Sequence, residues 1–436
     1  MTVAATTLDA WLERIERLHS RSIDLSLDRV RAVAQRLGLY RTCPTFIVGG
    51  TNGKGSTCAM LDTILRAAGY KVGLYTSPHL LVFNERARID GELIDDAALI
   101  AKFEAVDAAR GETTLTYFEF TTLAILRLFQ AAQLDAMVLE IGLGGRLDAV
   151  NIVDADCSIL TSVGIDHTSY LGSTREAIGY EKAHIFREGR PAICAEPQPP
   201  ATVLEVAAQI GADLWLTGRD FGYTGDRQQW TFRGRHGRRA SLPYPALRGA
   251  NQLLNASGAL AALEALSDRL PVSQQAVRQG LLEVDIPARF QVLPGRPTVV
   301  LDVAHNPHAA AVLAANLDNM GFYPRTQAVF GMLRDKDIAG VIDRLGDRVD
   351  RWHVGPTPGA RGTDSATLAA LVRSASGSAP SKDVVEHPTL ADAYASAIGE
   401  VDPDDRIVVF GSFTTVAEVI RARASVPGRA DRDSKI

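Results

Sequence analysis

No stretch of the 436-residue chain comes near the roughly 18 consecutive apolar residues that a membrane-spanning helix needs. Cysteine is scarce: Cys43, Cys58, Cys157 and Cys194 lie far apart, and no CxxC spacing suggests zinc or a redox pair. Residues 1–10 lack a basic patch followed by an apolar stretch, so no secretory signal is visible. No sign of charge dominates. With 46 basic against 51 acidic residues the net charge is −5, which gives no electrostatic case for nucleic acid or an anionic membrane as partner. Internal repeats and low-complexity segments are absent. The 46% hydrophobic and 22% charged content is that of a globular protein and excludes a disordered, collagen-like or coiled-coil chain. The expectation is a cytoplasmic, monomeric enzyme or binding protein acting on small molecules. At about 100–200 residues per domain, the length implies two or three domains.

The dominant rhythm is a β-branched run, then glycine-rich punctuation, then a helical pattern. Residues 45–48, 135–141 and 157–163 read as strands; DAMVLEI at 135–141 is near-continuously apolar, as expected of a strand buried on both faces. Residues 56–68, 118–132, 174–186 and 251–266 read as helices. The alternation predicts a parallel sheet with helices on both faces. Residues 228–244 break the rhythm and read as a surface hairpin around a Gly- and Arg-rich turn. Pro287, Pro294, Gly295 and Pro297 mark a boundary, after which 298–303, 327–330, 351–354 and 406–410 read as strands of a second, smaller α/β domain. The polar residues 425–436 read as a frayed end. The fold class expected is α/β: a large N-terminal P-loop ATPase domain (1–296) with a mainly parallel sheet, and a smaller Rossmann-like C-terminal domain (297–436). A hinge between two such domains suggests a ligand cleft.

The strongest local signal is Gly49-Gly50-Thr51-Asn52-Gly53-Lys54-Gly55-Ser56-Thr57, which follows a strand and opens a helix. Its glycines let successive N–H groups converge on phosphate oxygens, and the helix N-terminus adds its positive dipole end. Lys54 supplies a point charge to the β- and γ-phosphates, and Ser56 or Thr57 can offer a hydroxyl to Mg²⁺. A glycine follows the lysine, so the hydroxyls come one position later than in the usual phosphate loop. Glu140 closes the strand at 135–141, where the crevice of a parallel sheet lies. The following Gly142-Leu143-Gly144-Gly145 is a poor dinucleotide fingerprint. Asp166-His167-Thr168 follows the next strand. Ser56, Glu140 and His167 at three strand ends make a magnesium site, although that ion prefers oxygen to imidazole.

The ordered series of motifs resembles one family across nearly the whole chain. The series includes Gly50 to Ser56, Tyr75-Thr76-Ser77-Pro78-His79-Leu80, Leu115 to Phe120, Leu139 to Asp148, Asp166-His167-Thr168 and Glu181-Lys182-Ala183. Pro287-Ala288-Arg289-Phe290-Gln291, Asp302 to Pro307 and Gly411-Ser412-Phe413 complete it. It is similar to the folylpolyglutamate synthases of the Mur ligase superfamily, and to their bifunctional type that also makes dihydrofolate. The usual Pro-Gly-Arg-Phe is Pro-Ala-Arg-Phe here.

That resemblance implies an ATP- and Mg²⁺-dependent ligase. It phosphorylates the carboxylate of dihydropteroate or a reduced folate, and L-glutamate then attacks the acyl phosphate. By similarity, Thr51, Asn52, Gly53, Lys54, Gly55, Ser56, Asn255, Arg289 and Asp302 bind ATP, and Ser77, Glu140 and His167 ligate the metal. Lys182, on what the sequence shows as an ordinary charged helix face, is carbamylated and catalytic with Lys54 and His305. His305 and Ser412 bind glutamate. Ile23, Asp24, Thr116, Tyr117, Phe118, Glu119, Leu147, Asp148 and Ala149 bind dihydropteroate or folate, with Phe118 able to stack on a flat ring. Two competing readings are a cell-wall Mur ligase, which a substrate screen separates, and an ATP-hydrolysing regulatory switch, which would release ADP without needing glutamate.

Overall fold

The apolar run at 135–141 forms the strand Ala136–Glu140, buried at every position, and Thr45–Gly49 beside it is equally buried. Such runs belong in the middle of a sheet covered on both faces. In the computed structural model, which describes residues 6–226, 228–249, 251–375 and 383–425, they are the central strands of an eight-stranded sheet. Its spatial order is Glu92–Leu93, Ala87–Ile89, Val72–Tyr75, Ala136–Glu140, Thr45–Gly49, Cys157–Leu160, Pro191–Cys194 and Asp213–Leu216. The first two strands form an antiparallel hairpin added at one edge; the other six run parallel. The parallel strands therefore all end on the same side, and the loops that follow them carry the candidate residues of this unit.

The chain divides into two compact units. The first comprises Met1–Gly164, Leu171–Ala246 and Leu253–Val284; the second comprises Ile165–Tyr170, Leu247–Gln252 and Asp285–Ile436. The second unit is built on a six-stranded sheet in the order Gln291–Leu293, Thr298–Leu301, Arg406–Phe410, Thr326–Phe330, Arg351–Val354, Asp383–Glu386, parallel apart from its first strand. Its core packs Phe330, Trp352 and Phe410 ring against ring at 5.0–5.9 Å between centroids.

The predicted strands and helices form with ends shifted by a few residues. The helix read at 56–68 starts earlier, at Lys54, because Gly53 adopts a left-handed φ of 86° and turns the chain directly into it. The hairpin at 228–244 is part of a three-stranded antiparallel sheet, Gly222–Gly225, Trp230–Arg233 and Arg238–Leu242. It is not wholly a surface feature: Trp230, Phe232 and Leu242 are buried, because period-2 alternation sends one face of the strand inward. From residue 426 onward the polar tail lies outside the described residues.

The phosphate-loop helix Lys54–Ala67 is held by the helix Gln274–Glu283 at a close crossing. A Cβ added at Gly280 would lie 2.5 Å from the Ile64 Cα, a backbone atom that cannot step aside. Gly280→Ala must push the helices apart, and overpacking of this kind costs about 1–3 kcal/mol. A denaturant midpoint lowered accordingly, with an unchanged slope, is the expected result; an unchanged midpoint would show that the helices separate freely.

Candidate active site

The loop after Thr45–Gly49 turns in a space that leaves no room for a side chain at Gly50 or Gly53. Gly50 has φ 148°, and a Cβ there would lie 1.9 Å from Thr161 Oγ1; at Gly53 it would lie 2.5 Å from Asn255 Oδ1. The loop is strapped to the end of the neighbouring strand. Thr51 N–H donates to Ser162 O (2.9 Å), Asn52 N–H to Ser162 Oγ (2.9 Å), and Thr161 Oγ1 donates to Asn52 O (2.7 Å). Lys54 Nζ donates to the carbonyls of Gly50 (3.1 Å) and Thr51 (3.3 Å). Lys182 Nζ donates to the same Gly50 carbonyl at 3.1 Å. Two ammonium groups thus meet on one loop oxygen, which concentrates positive charge where backbone N–H groups and a helix N-terminus already favour an anion. Ser56 and Thr57 are both buried, and the Thr57 hydroxyl has no hydrogen-bond partner among the described residues.

Lys182 corrects the sequence reading. It is only 5% exposed, so it is not on a solvated helix face. The helix Arg175–Ala183 presents it inward, whereas its neighbour Glu181 pairs with Arg146 through contacts of 2.9 and 3.1 Å. A pair of adjacent charges looks alike in sequence whichever of the two points inward, and packing of the helix decided it.

Glu140 closes its strand almost fully buried, and its Oε2 accepts the Ser77 N–H at 3.1 Å from the adjoining parallel strand end. Its charge also reaches the loop helix: burial first, and then Glu140, push the Cys58 thiol well above its ordinary range. Ser77 and Glu140 together offer the oxygen donors that a hard divalent cation takes. His167 belongs to the second unit, in Ile165–Tyr170. Among the described residues, no group of three or more His, Cys, Asp or Glu side chains is arranged to hold a metal.

Next to this strand end lies a cavity of roughly 250 Å³. It is lined by Ile23, Asp24, Thr116, Phe118, Glu119, Leu147, Asp148 and Ala149, together with Ser77, Pro78, Arg86 and Gly142. Thr116 caps the helix Tyr117–Ala131 in a reciprocal box: Glu119 N–H donates to Thr116 Oγ1 (3.2 Å) and Thr116 N–H to Glu119 Oε2 (2.8 Å). Phe118 stacks with Tyr75 (6.3 Å between centroids, 23°) and leans over Gly142, where a Cβ would meet its ring at 2.5 Å. Asp148 accepts from Leu143 N–H (2.7 Å) and Val150 N–H (3.0 Å), and burial pushes its carboxyl up to about 6. Tyr117 is the exception among the predicted residues. It does not line the cavity; its ring packs edge-on against Phe83 at 6.3 Å and under the Arg86 guanidinium at 5.5 Å. Helical geometry sets successive side chains about 100° apart, and here the turn carries Phe118 and Glu119 toward the cavity and Tyr117 toward Phe83.

In the second unit a different cluster forms. Asp166 Oδ1 accepts Lys336 Nζ (2.6 Å) and the His167 N–H (2.7 Å), its Oδ2 accepts Asn306 Nδ2 (3.1 Å), and His305 Nε2 lies 3.6 Å away. Burial would raise this carboxyl, but His305, Lys336 and His167 hold it well below the ordinary range. His305 Nδ1 is 2.8 Å from Val303 O; a carbonyl only accepts, so Nδ1 carries the hydrogen and Nε2 faces Asp166. Asp302, just past its strand, accepts from Phe290 N–H (2.9 Å) and Ala304 N–H (2.8 Å); burial raises its carboxyl against the pull of Arg289. The Arg289 guanidinium lies 4.9 Å over the Phe413 ring. Ser412 is buried and caps Phe413–Ala424, accepting Thr415 N–H at 3.0 Å.

Arg29, Arg86 and Lys336 were not singled out from the sequence, and Asp166 was read only within the Asp166-His167-Thr168 motif, with no role of its own. Lys336 sits in the charged run 334–337, which has the pattern of a solvated surface, yet its side chain is 6% exposed. Only its partner Asp166, adjacent to His167, carried a signal.

Two domain families match in order: Mur ligase middle domain over residues 48–263, and Mur ligase, glutamate ligase domain over 288–413. The dihydrofolate synthase/folylpolyglutamate synthase of Escherichia coli is 46% identical, with 97% of each chain covered. That of Haemophilus influenzae is 40% identical, over 95% of this chain and 97% of the other. Among solved structures, E. coli FolC in complex with DHPP and ADP superimposes with a TM-score of 0.91 at 45% identity, covering 98% of this chain and 100% of that one. A bifunctional folylpolyglutamate synthase/dihydrofolate synthase with Mn, AMPPNP and L-glutamate bound gives a TM-score of 0.89 at 43% identity, covering 97% and 99%. Near-complete coverage on both sides, with both domain families in order on an α/β framework, means that the chain belongs to the Mur ligase family, among its ATP-dependent dihydrofolate synthase/folylpolyglutamate synthases.

Proposed function

We propose that the first unit's phosphate loop and the 250 Å³ cavity beside Ser77 and Glu140 carry the two reacting partners of the first chemical step. The reaction is the ATP-dependent addition of L-glutamate to dihydropteroate, giving dihydrofolate, and to reduced folates, giving folylpolyglutamates. A carboxylate oxygen of the acceptor attacks the γ-phosphorus of ATP, and ADP leaves. The glutamate nitrogen then attacks the acyl phosphate and loses a proton, releasing inorganic phosphate and leaving an amide. The observation that carries this reading is the glycine loop with Lys54 on its Gly50 carbonyl, beside a cavity that shares Ser77 with the Glu140 strand end.

In this reading Thr51 to Ser56, Asn255, Arg289 and Asp302 hold ATP, and Lys54 neutralises charge on the transferred phosphoryl group. Ser77, Glu140 and His167 hold Mg²⁺, which when bound adds further positive charge at the phosphates. Ile23, Asp24, Thr116, Phe118, Glu119, Leu147, Asp148 and Ala149 seat the heterocyclic acceptor, and Arg86 joins them on account of its place in the cavity wall. His305, beside Asp166, takes up the proton that the glutamate ammonium must lose before its nitrogen attacks; Ser412 helps seat glutamate. Lys182 is carbamylated. Its neutral amine adds to CO₂ and releases one proton; an anion then replaces the ammonium of the unmodified side chain, the carbamate nitrogen keeps the one hydrogen needed to donate to Gly50 O, and Lys54 remains the cation at the loop. The partners are small molecules, and residues 1–296 and 297–436 are the functional domains. No helix among the described residues is long and apolar enough to cross a membrane.

The direct test is ADP release with ATP, Mg²⁺ and L-glutamate, comparing dihydropteroate with reduced folates as acceptor. Glutamate-dependent release with both is expected; release that ignores glutamate would overturn the reading. Lys54→Ala should lower turnover at saturating ATP by about 10²–10³-fold, the scale for losing one stabilising group at a developing charge; near wild-type turnover would remove Lys54 from the phosphate site. Glu140→Gln replaces an ionised oxygen donor with a neutral amide, so a magnesium titration of activity should shift to higher concentration by about tenfold or more. An unshifted titration would take Glu140 out of the metal shell. Stripping CO₂ and bicarbonate should lower wild-type activity slowly and reversibly, and intact-protein mass should report the lost carboxyl group. Full activity with an unmodified Lys182 would end the carbamate assignment.

A further inference from the structure

The acceptor cavity has one wall with no regular secondary structure. Residues 22–26 lie between the helices Leu8–Glu16 and Asp28–Arg36, and they contribute Ser22, Ile23, Asp24, Leu25 and Ser26 to the lining. The facing wall is the capped first turn of Tyr117–Ala131, where Thr116 and Glu119 lock each other in place. An irregular segment has no ladder or helix of its own to set its position, so side chains must fix it.

We propose that Arg29, which does not line the cavity, is the positioning residue that holds this wall at the spacing the acceptor needs. The inference rests on the acceptor reading of the cavity. The guanidinium bonds to both walls at once. Nη1 donates to Asp24 Oδ2 (2.9 Å) and Nη2 to the Asp24 carbonyl (2.8 Å). Nη2 also reaches Glu119 Oε1 (3.1 Å), and Nε reaches Glu119 Oε2 (3.4 Å). Three nitrogens of one rigid plane therefore fix a backbone oxygen and a side chain on one wall to a carboxylate on the other. An ammonium, a single point on a flexible stem, cannot reproduce that fork.

The clamp also pairs both acids with one cation. Glu119 is nearly buried, with a side chain 5% exposed, and Arg29 is its cationic partner. Asp24 Oδ2 is taken by Arg29 and by His19 Nε2 (3.0 Å), which holds the carboxyl below its usual range, first through the His19 hydrogen bond. Among the described residues Oδ1 has no hydrogen-bond partner, and Asp24 lines the cavity. That oxygen is an acceptor for an N–H group of a flat heterocycle, and its direction depends on Arg29. His19 adds a second, weaker tether by reaching Thr114 Oγ1 (2.9 Å) near the base of the other wall.

The test uses Arg29→Lys and Arg29→Met in the full chain, with two independent readouts. Amide hydrogen exchange over residues 22–26 reports the anchoring without reference to any reaction, and it should quicken by about tenfold or more in both variants while the phosphate-loop helix is unchanged. Steady-state kinetics then report the consequence. KM for the acceptor should rise about tenfold or more, with KM for ATP within about twofold and turnover at saturating acceptor within about threefold, the pattern of lost binding rather than lost chemistry. Arg29→Met supplied with millimolar guanidinium should recover part of the acceptor KM, which a general loss of packing would not allow. Unchanged exchange over 22–26 overturns the anchoring role whatever the enzyme does. Faster exchange with an unchanged acceptor KM, or an equal rise in KM for ATP, overturns the link to the acceptor. Wild-type protein that ligates glutamate to neither dihydropteroate nor folates would sink the functional reading instead, and the exchange result would still decide the clamp.

Discussion

The Gly50 carbonyl oxygen is the point on which the first unit's chemistry turns. It accepts hydrogen bonds from Lys54, four residues along the loop, and from Lys182, 132 residues away. Both ammonium groups reach it only because the loop backbone lies flush against Thr161 and Asn255, with no Cβ at Gly50 or Gly53. A side chain at either position would lift the loop, separate the lysines and open the straps to Ser162. The buried strands exist in their present order around that loop: Ala136–Glu140 on one side supplies Glu140, and Cys157–Leu160 on the other leads to the straps.

The acceptor cavity is assembled on a different principle. Its lining glycine, Gly142, has no left-handed angle and serves only to let the Phe118 ring approach. Instead, polar groups that a helix start must satisfy anyway are used twice. Thr116 and Glu119 cap a helix and also line the cavity; Asp148 caps the short helix Ala149–Ile152 and lines it too. Capping fixes each side chain's rotamer before any ligand arrives, which is the preorganisation a selective pocket needs. The burial that secures Asp148 also raises its carboxyl to about 6, so a single placement determines both its geometry and its protonation.

The second unit shows the same economy with charge. Asp166 gathers a lysine, an asparagine and two histidine groups around one buried carboxylate, and each of them reduces the cost of keeping it ionised away from water. The result ties His167, on a segment distant in sequence, to the start of the helix Pro307–Asp318 through Asn306, which also caps that helix.

Much of this protein could be read without coordinates. Period and composition determined the two α/β sheets, since runs such as 135–141 and 406–410 are too uniformly apolar to lie anywhere but mid-sheet. The phosphate loop was equally plain, because its glycines and lysine are contiguous. The motif series, through its resemblance, also gave Asp24, Thr116, Phe118 and Asp148, which the fold brings to one cavity. What the linear order could not contain was which of two adjacent residues points inward and which distant charges meet. Glu181 and Lys182 look equivalent until the helix packs; Tyr117 and Phe118 differ only by a 100° turn; Lys336 looks solvated until Asp166 is beside it. Arg29 carried no mark at all, because its role depends on Asp24 and on Glu119, 90 residues away, lying within one guanidinium's reach. Local pattern follows from short-range sterics and solubility, which a sequence encodes directly; burial and pairing of charge depend on long-range packing, which only the tertiary structure decides.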